Sequence, residues 1–128
     1  MGARSIPSNF PVPVNMTFNV INQWYNEHQF AAQSDINTLT NVRNANGVIG
    51  HFTVMVSERN TAVGCAIVNY MNGANHIGEL VCNYASTNMM GSVVYRTGPT
   101  GSGCTLGRDP TYPGLCRTNE PINPNSFD

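Results

Sequence analysis

Lysine is missing altogether from these 128 residues, and charged side chains of every kind make up only 10% of them. Six arginines stand against seven carboxylates, for a formal net charge of −1. A chain so balanced offers no basic field to a phosphate backbone, which excludes nucleic acid as a partner. Equally missing is any apolar run near the ~18 residues that a bilayer span requires, so no membrane span is expected. No Cys-x-x-Cys pair occurs, which removes the usual spacing of a structural zinc site. The opening segment, MGARSIPSNFPVPV, lacks the apolar stretch of a signal peptide and is interrupted by prolines at 7, 11 and 13.

What is present fits one small domain with a modest core, since 41% of the chain is apolar. Four cysteines, Cys65, Cys82, Cys104 and Cys116, all fall in the second half. Cys65 and Cys82 each sit in a strand-like run across a turn, and Cys104 and Cys116 bracket a Gly/Pro-rich loop. Two local disulfides in an oxidising compartment are the reading that fits best, with four buried free thiols in a cytosolic protein as the alternative. Asn15-Met16-Thr17 is a glycosylation sequon, which matters only in a secreted chain. The expected location is therefore extracellular, although this chain carries no recognisable signal peptide.

Along the chain, residues 1–14 read as an extended proline-rich lead-in. Phe18, Ile21, Trp24, Tyr25 and Phe30 then recur at three- and four-residue steps, which predicts an amphipathic helix over 16–31 with Asn15 as its N-cap. Glu27, three residues after Trp24, belongs near the buried face, while His28 turns about 100° away. Residues 33–49 are polar and read as a long loop of the kind that is functional or wraps over something. His51–Val56 suits either a short helix or a strand. Residues 62–70 and IGELVCNYA read as the two strands of a hairpin with a slightly long loop around Asn72-Gly73, and SVVYRTG as a third strand. The parts expected are a lead-in over 1–14, a domain over 15–98, and a tail over 99–128 stapled by Cys104 and Cys116.

Four short blocks carry the functional reading: Trp24-Tyr25-Asn26-Glu27, Gly50-His51-Phe52-Thr53, Val63-Gly64-Cys65-Ala66 and Leu80-Val81-Cys82-Asn83-Tyr84. Together and in that order they resemble the CAP superfamily of cysteine-rich secretory, antigen 5 and pathogenesis-related 1 proteins. The tail GSGCTLGRDPTYPGLC is similar to the Cys-rich end of the insect venom allergen 5-like branch, and the resemblance covers about residues 15–116. It implies an α+β fold, a three-layer α-β-α sandwich around a small antiparallel sheet, with the front helices of the family domain outside this chain. Two departures stand out. Ser57 occupies a place where the family carries Trp. The family's Cys-Asn-Tyr-x-Pro-x-Gly-Asn also becomes Cys82-Asn83-Tyr84-Ala85-Ser86-Thr87-Asn88, one residue short and without its proline.

The resemblance further implies a His-Glu-Glu-His cleft whose two histidines hold a divalent metal such as zinc. Only Glu27 and His51 match it here, so half of the site is missing, and one histidine with one glutamate falls short of the three protein ligands of a catalytic zinc. His28 and His76 are the other histidines that could be recruited. The competing reading for His51 is structural: a hydrogen bond to Glu27 that pins the helix to the sheet. A hydrolase would draw on Ser57, His51 and Glu27, but Ser57 has no nucleophile-elbow glycines around it. The loop after Asn83-Tyr84 is where the resemblance implies sterol binding. Met71, Met89 and Met90 either line such an apolar site or fill the core at the hairpin's end, and Trp24 reads as a core anchor. The expectation is thus a secreted, non-enzymatic binding protein of the CAP type with no cofactor, whose partner is a protein or a lipid or sterol. A metal-dependent or serine-type hydrolase, or an inactive truncated remnant, are the alternatives.

Overall fold

In the computed structural model, residues 2–6 and 14–126 are described. Helix α1, Val14–Asn26, follows the apolar period and passes into a 3₁₀ turn, Glu27–Phe30. Its buried stripe is Met16, Val20 and Trp24, spaced four apart. Phe18 and Tyr25, expected on that stripe, face outward at 61% and 50% exposure. At about 100° per residue Phe18 and Tyr25 lie well round the helix from the Met16–Val20–Trp24 row, and it is that row which packs on the sheet. Asn15 is the second residue of α1 rather than its cap, and its side chain lies outside what is described.

The segment expected to be a long loop holds a five-residue helix α2, Gln33–Asn37, and a minimal hairpin of β2, Arg43–Asn44, with β3, Gly47–Val48. Asp35 caps α2 by accepting from Ala32 N at 2.9 Å. Polar residues dominate this segment, yet Ile36, Leu39 and Ile49 from it are almost fully buried. They pack with Phe52 and Val94 into one of the two apolar clusters. Residues 50–56 form the short helix α3, Gly50–Val56. Phe52 on α3 enters that cluster, and Met55 leans on the second, which joins Met16, Val20 and Trp24 of α1 to Leu80 of the sheet.

The sheet has three antiparallel strands in the order β1-β5-β4, with β1 Gly2–Ile6, β4 Val63–Asn72 and β5 Asn75–Tyr84. β4 and β5 pair without a break from Val63↔Tyr84 to Asn72↔Asn75. Their connection is tighter than expected, two residues long, with Gly73 supplying the φ of +61° that a primed hairpin turn needs at its first position. The third strand comes from the front of the chain and not from SVVYRTG. Residues 92–98 instead run irregularly across the first cluster, with Val94 N donating to Ile36 O at 2.9 Å and Leu39 N to Ser92 O at 2.9 Å. A segment that bonds in turn to α2, to the residues just after it and to Glu58 has no straight partner to form a strand against. The fold is α+β, a mix of helices with small antiparallel sheets.

Both expected disulfides are formed. Cys65–Cys82 bridges directly opposed residues of β4 and β5, and Cys104–Cys116 closes a loop in the irregular tail. The tail's other anchors are polar: Glu120 accepts from the backbone N–H groups of Thr105 and Leu106, and buried Arg59 donates to Ser126 O at 2.6 Å and Val93 O at 2.9 Å.

Candidate functional site

Helix α3 is seven residues long, too short to be stable by itself, and its first N–H groups need acceptors from elsewhere. Glu27 supplies them. Its Oε2 accepts from His51 N at 2.8 Å and Phe52 N at 3.1 Å, placing a carboxylate at the positive end of the helix. Its Oε1 accepts from His51 Nδ1 at 2.6 Å. A carboxylate only accepts, so the ring proton sits on Nδ1, and in the neutral ring Nε2 is then the acceptor. One side chain thereby fixes the start of α3 and the tautomer of its histidine.

The surroundings keep that arrangement in place. Trp24 stacks on the His51 imidazole, ring centroids 5.3 Å apart and planes 3° from parallel. Gly50 precedes His51 because a Cβ there would meet the Cβ of Val42 at 2.8 Å. Glu27 therefore ties the end of α1 to α3, helix to helix, and not the helix to the sheet as the sequence suggested. His28 points elsewhere: its Nδ1 donates to Tyr25 O at 2.8 Å on the exposed side.

Beside the stack lies an open pocket of about 480 Å³. Trp24, Val42, Val48, Val54 and Cys82 give it apolar walls, and His51, Asn83, Tyr84, Ser86, Thr87 and Asn88 its polar ones. The size falls in the range of small-molecule sites, and the lining is about evenly divided between apolar and polar residues. Burial holds the Tyr84 phenol protonated beyond its ordinary range. The loop after Tyr84 is secured from two directions. Asn88 Nδ2 donates to Gly50 O at 2.8 Å, and its Oδ1 accepts from buried Thr53 Oγ1 at 2.9 Å. Asn60 Oδ1 accepts from Ser86 N at 2.7 Å. Thr53, Ser86 and Asn88 fall inside the motifs quoted from the sequence, but neither they nor Asn60 carry a role there. Their partners lie 26 to 38 residues away, and no local pattern encodes such a bond.

The residues expected to act together are divided by the structure. Asn83 and Tyr84 line the pocket, whereas Met89 and Met90 are exposed outside its wall, as is Met71 at the far end of β4. The core-filling reading of these methionines is therefore corrected as well. Ser57 stands at the C-terminal end of α3, where its Oγ accepts from Arg59 N. Six residue steps carry the chain from His51 to Ser57, roughly 9 Å along the axis, too far for a nucleophile–base contact. The Ser86 hydroxyl is buried and, among the described residues, has no hydrogen-bond partner, so it is not engaged by His51 either.

For a metal, the donor set is short. Among the described residues, no three His, Cys, Asp or Glu side chains come together. Glu27 is committed to two backbone N–H groups and the ring, and the side chain of His76 lies outside what is described. This donor set does not fit a zinc centre.

The description of the cysteine-rich secretory protein family, CAP, matches residues 13–84, more than half of the chain. Venom allergen-1 of Aedes aegypti is 38% identical over 109 residues, 85% of this chain and 42% of that protein. Scoloptoxin SSD552 of Scolopendra dehaani is 31% identical over 117 residues, 91% of this chain and 51% of that protein. Tablysin 15 of Tabanus yao is 38% identical over 80 residues, 62% of this chain and 31% of that protein. The chain thus spans about half the length, or less, of these curated relatives.

Proposed function

The chain belongs to the cysteine-rich secretory protein (CAP) family, and from that premise we propose that it is a secreted, non-enzymatic protein that works by binding. Its ligand is a small apolar molecule of lipid or sterol type, held in the pocket beside Trp24 and His51. The single observation that carries this reading is the pocket itself: an apolar wall of Trp24, Val42, Val48 and Val54 facing a polar one, and a histidine whose proton and orientation are already committed to Glu27. Secretion is supported by the two disulfides, which suit an oxidising compartment, and by relatives named as venom allergens. The third layer of the family sandwich, over the face of the sheet opposite α1, belongs to the same proposal.

Trp24 is the only tryptophan of the chain, so its emission reports this pocket alone. Titration with a fluorescent sterol that accepts tryptophan energy is expected to give saturable transfer at one sterol per chain. Val54→Glu, which puts a carboxylate into the apolar wall, is expected to abolish the transfer while the near-UV circular dichroism melt stays cooperative. Absence of saturable transfer in the parent chain would overturn the apolar ligand.

A further inference from the structure

We propose that strand β4 is a self-association edge: it pairs antiparallel with β4 of a second copy, joining two three-stranded sheets into one of six. β4 is the outer strand in the order β1-β5-β4, and all ten of its residues are exposed. Natural edge strands are commonly blunted by charge, proline, a bulge or short length. β4, VGCAIVNYMN, has none of these. It contains no charged residue and no proline, it is ten residues long, and its register with β5 is unbroken. Its side chains are apolar on both faces, with Val63, Ile67, Val68, Tyr70 and Met71 between 44% and 56% exposed.

The backbone dictates how a partner would dock. Cys65 and Cys82 are directly opposed with Cα atoms 4.1 Å apart, the close spacing of a non-hydrogen-bonded pair. Three residues along, a pair of the opposite parity, Ala85 N donates to Ala62 O at 2.9 Å, as the alternate pair should. The N–H and C=O groups of Val63, Cys65, Ile67, Asn69 and Met71 therefore point away from β5, to the open edge.

A two-fold axis perpendicular to the sheet can pass through Ile67. It then sets Ile67 opposite Ile67, Ala66 opposite Val68, Gly64 opposite Tyr70 and Val63 opposite Met71 of the partner. Apolar residues meet apolar ones except where Asn69 faces Cys65, and the glycine lies beneath an aromatic ring, a favourable edge pairing. The five outward pairs would make roughly ten backbone hydrogen bonds, two for each. The only carboxylate on the hairpin, Glu79 on β5, would lie three strand spacings from its symmetry mate, about 14 Å, beyond the screening length at physiological salt. A second copy fits better than the other edge, β1, which offers only five residues and would propagate into a filament.

Sedimentation equilibrium over a series from micromolar to millimolar chain tests this, combined with amide hydrogen exchange on the same samples. The expected mass rises with concentration and levels at twice the 13.9 kDa of one chain. Exchange at Cys65, Ile67, Asn69 and Met71 is expected to slow in step with that rise, while their even-numbered neighbours, bonded to β5, do not change. Asn69→Pro removes one outward N–H without touching a bond to β5 and is expected to keep the chain at single mass at every concentration. Ile67→Lys, which brings two ammonium groups together on the axis, is expected to do the same should the proline variant fail to fold. The proposal is overturned by a mass that stays at one chain throughout, by a mass that climbs past two, or by a doubled mass that survives a folded variant.

Discussion

The body built around α3 and the β4–β5 hairpin use apolar residues in opposite ways. Between Ala31 and Arg59, a stretch that looks polar on paper, Ile36, Leu39, Ile49 and Phe52 are buried and make a cluster with Val94. Across the hairpin, which looks apolar, Leu80 is the only fully buried apolar side chain among the described residues. Strand pairing there rests on backbone bonds and a disulfide, whereas the body rests on packing. Apolar run length and burial are thus separate quantities: a few well-placed residues in a polar loop can matter more than a continuous apolar strand.

The sharpest way to break the contrast is to truncate one residue on each side. Ile49→Ala removes a side chain with no exposed surface and is expected to cost about 2–5 kcal/mol in chemical denaturation. Ile67→Ala, at 44% exposure, is expected to cost less than about 1 kcal/mol. Comparable costs would mean that the hairpin is covered in solution.

A smaller effect comes from the joint inside the body. Glu27→Ala leaves two backbone N–H groups and the His51 ring without their acceptor and is expected to lower stability by about 1–3 kcal/mol. Glu27→Gln, which retains one acceptor oxygen, is expected to recover part of that. Equal losses for the two variants would show that packing and not hydrogen bonding is at stake.

The tail should respond almost independently. Replacing Cys104 and Cys116 together by serine is expected to make residues 104–116 the first site of limited proteolysis, with the main melt moved by less than about 1 kcal/mol. The smallest effect is one of pH. Burial raises the Glu120 carboxyl, but the hydrogen bonds from Leu106 and Thr105 outweigh it and hold the group below its ordinary value of 4.5. The contribution to tail order is therefore complete above that value and is lost as pH falls through the lowered one. Faster exchange of the Thr105 and Leu106 amides as pH falls through that lowered value, with the α3 amides unaffected, is the expected record.

The same contrast explains what could be read in advance. Helix α1 and the hairpin were legible because 13 and 20 residues give a period room to show. The facing of α1 is ambiguous in the sequence because Phe18 and Tyr25 form a second apolar row on another face from Met16 and Val20, and only packing on the sheet selects between them. The body reads as a loop because Ile36, Leu39 and Ile49 follow no single period, and the third strand lies at 2–6 instead of the expected 92–98 because pairing partners are a tertiary choice. At the site, Glu27 and His51 were found through their motifs. Asn60, Thr53 and Asn88, which hold the loop after Tyr84 in place, are ordinary polar residues until the fold supplies their distant partners.

The central claim is that the Glu27–His51 pair builds the fold and leaves the neighbouring pocket to bind, instead of forming a metal or catalytic centre. The most direct test is the near-UV circular dichroism melt of the oxidised chain with and without excess zinc, in the parent and in His51→Ala. A ligand well above its dissociation constant stabilises the native state by a few kcal/mol, a plainly visible shift. The account expects a cooperative melt that zinc does not move and that His51→Ala lowers equally in both conditions. A midpoint raised by zinc in the parent and unmoved in His51→Ala would contradict it.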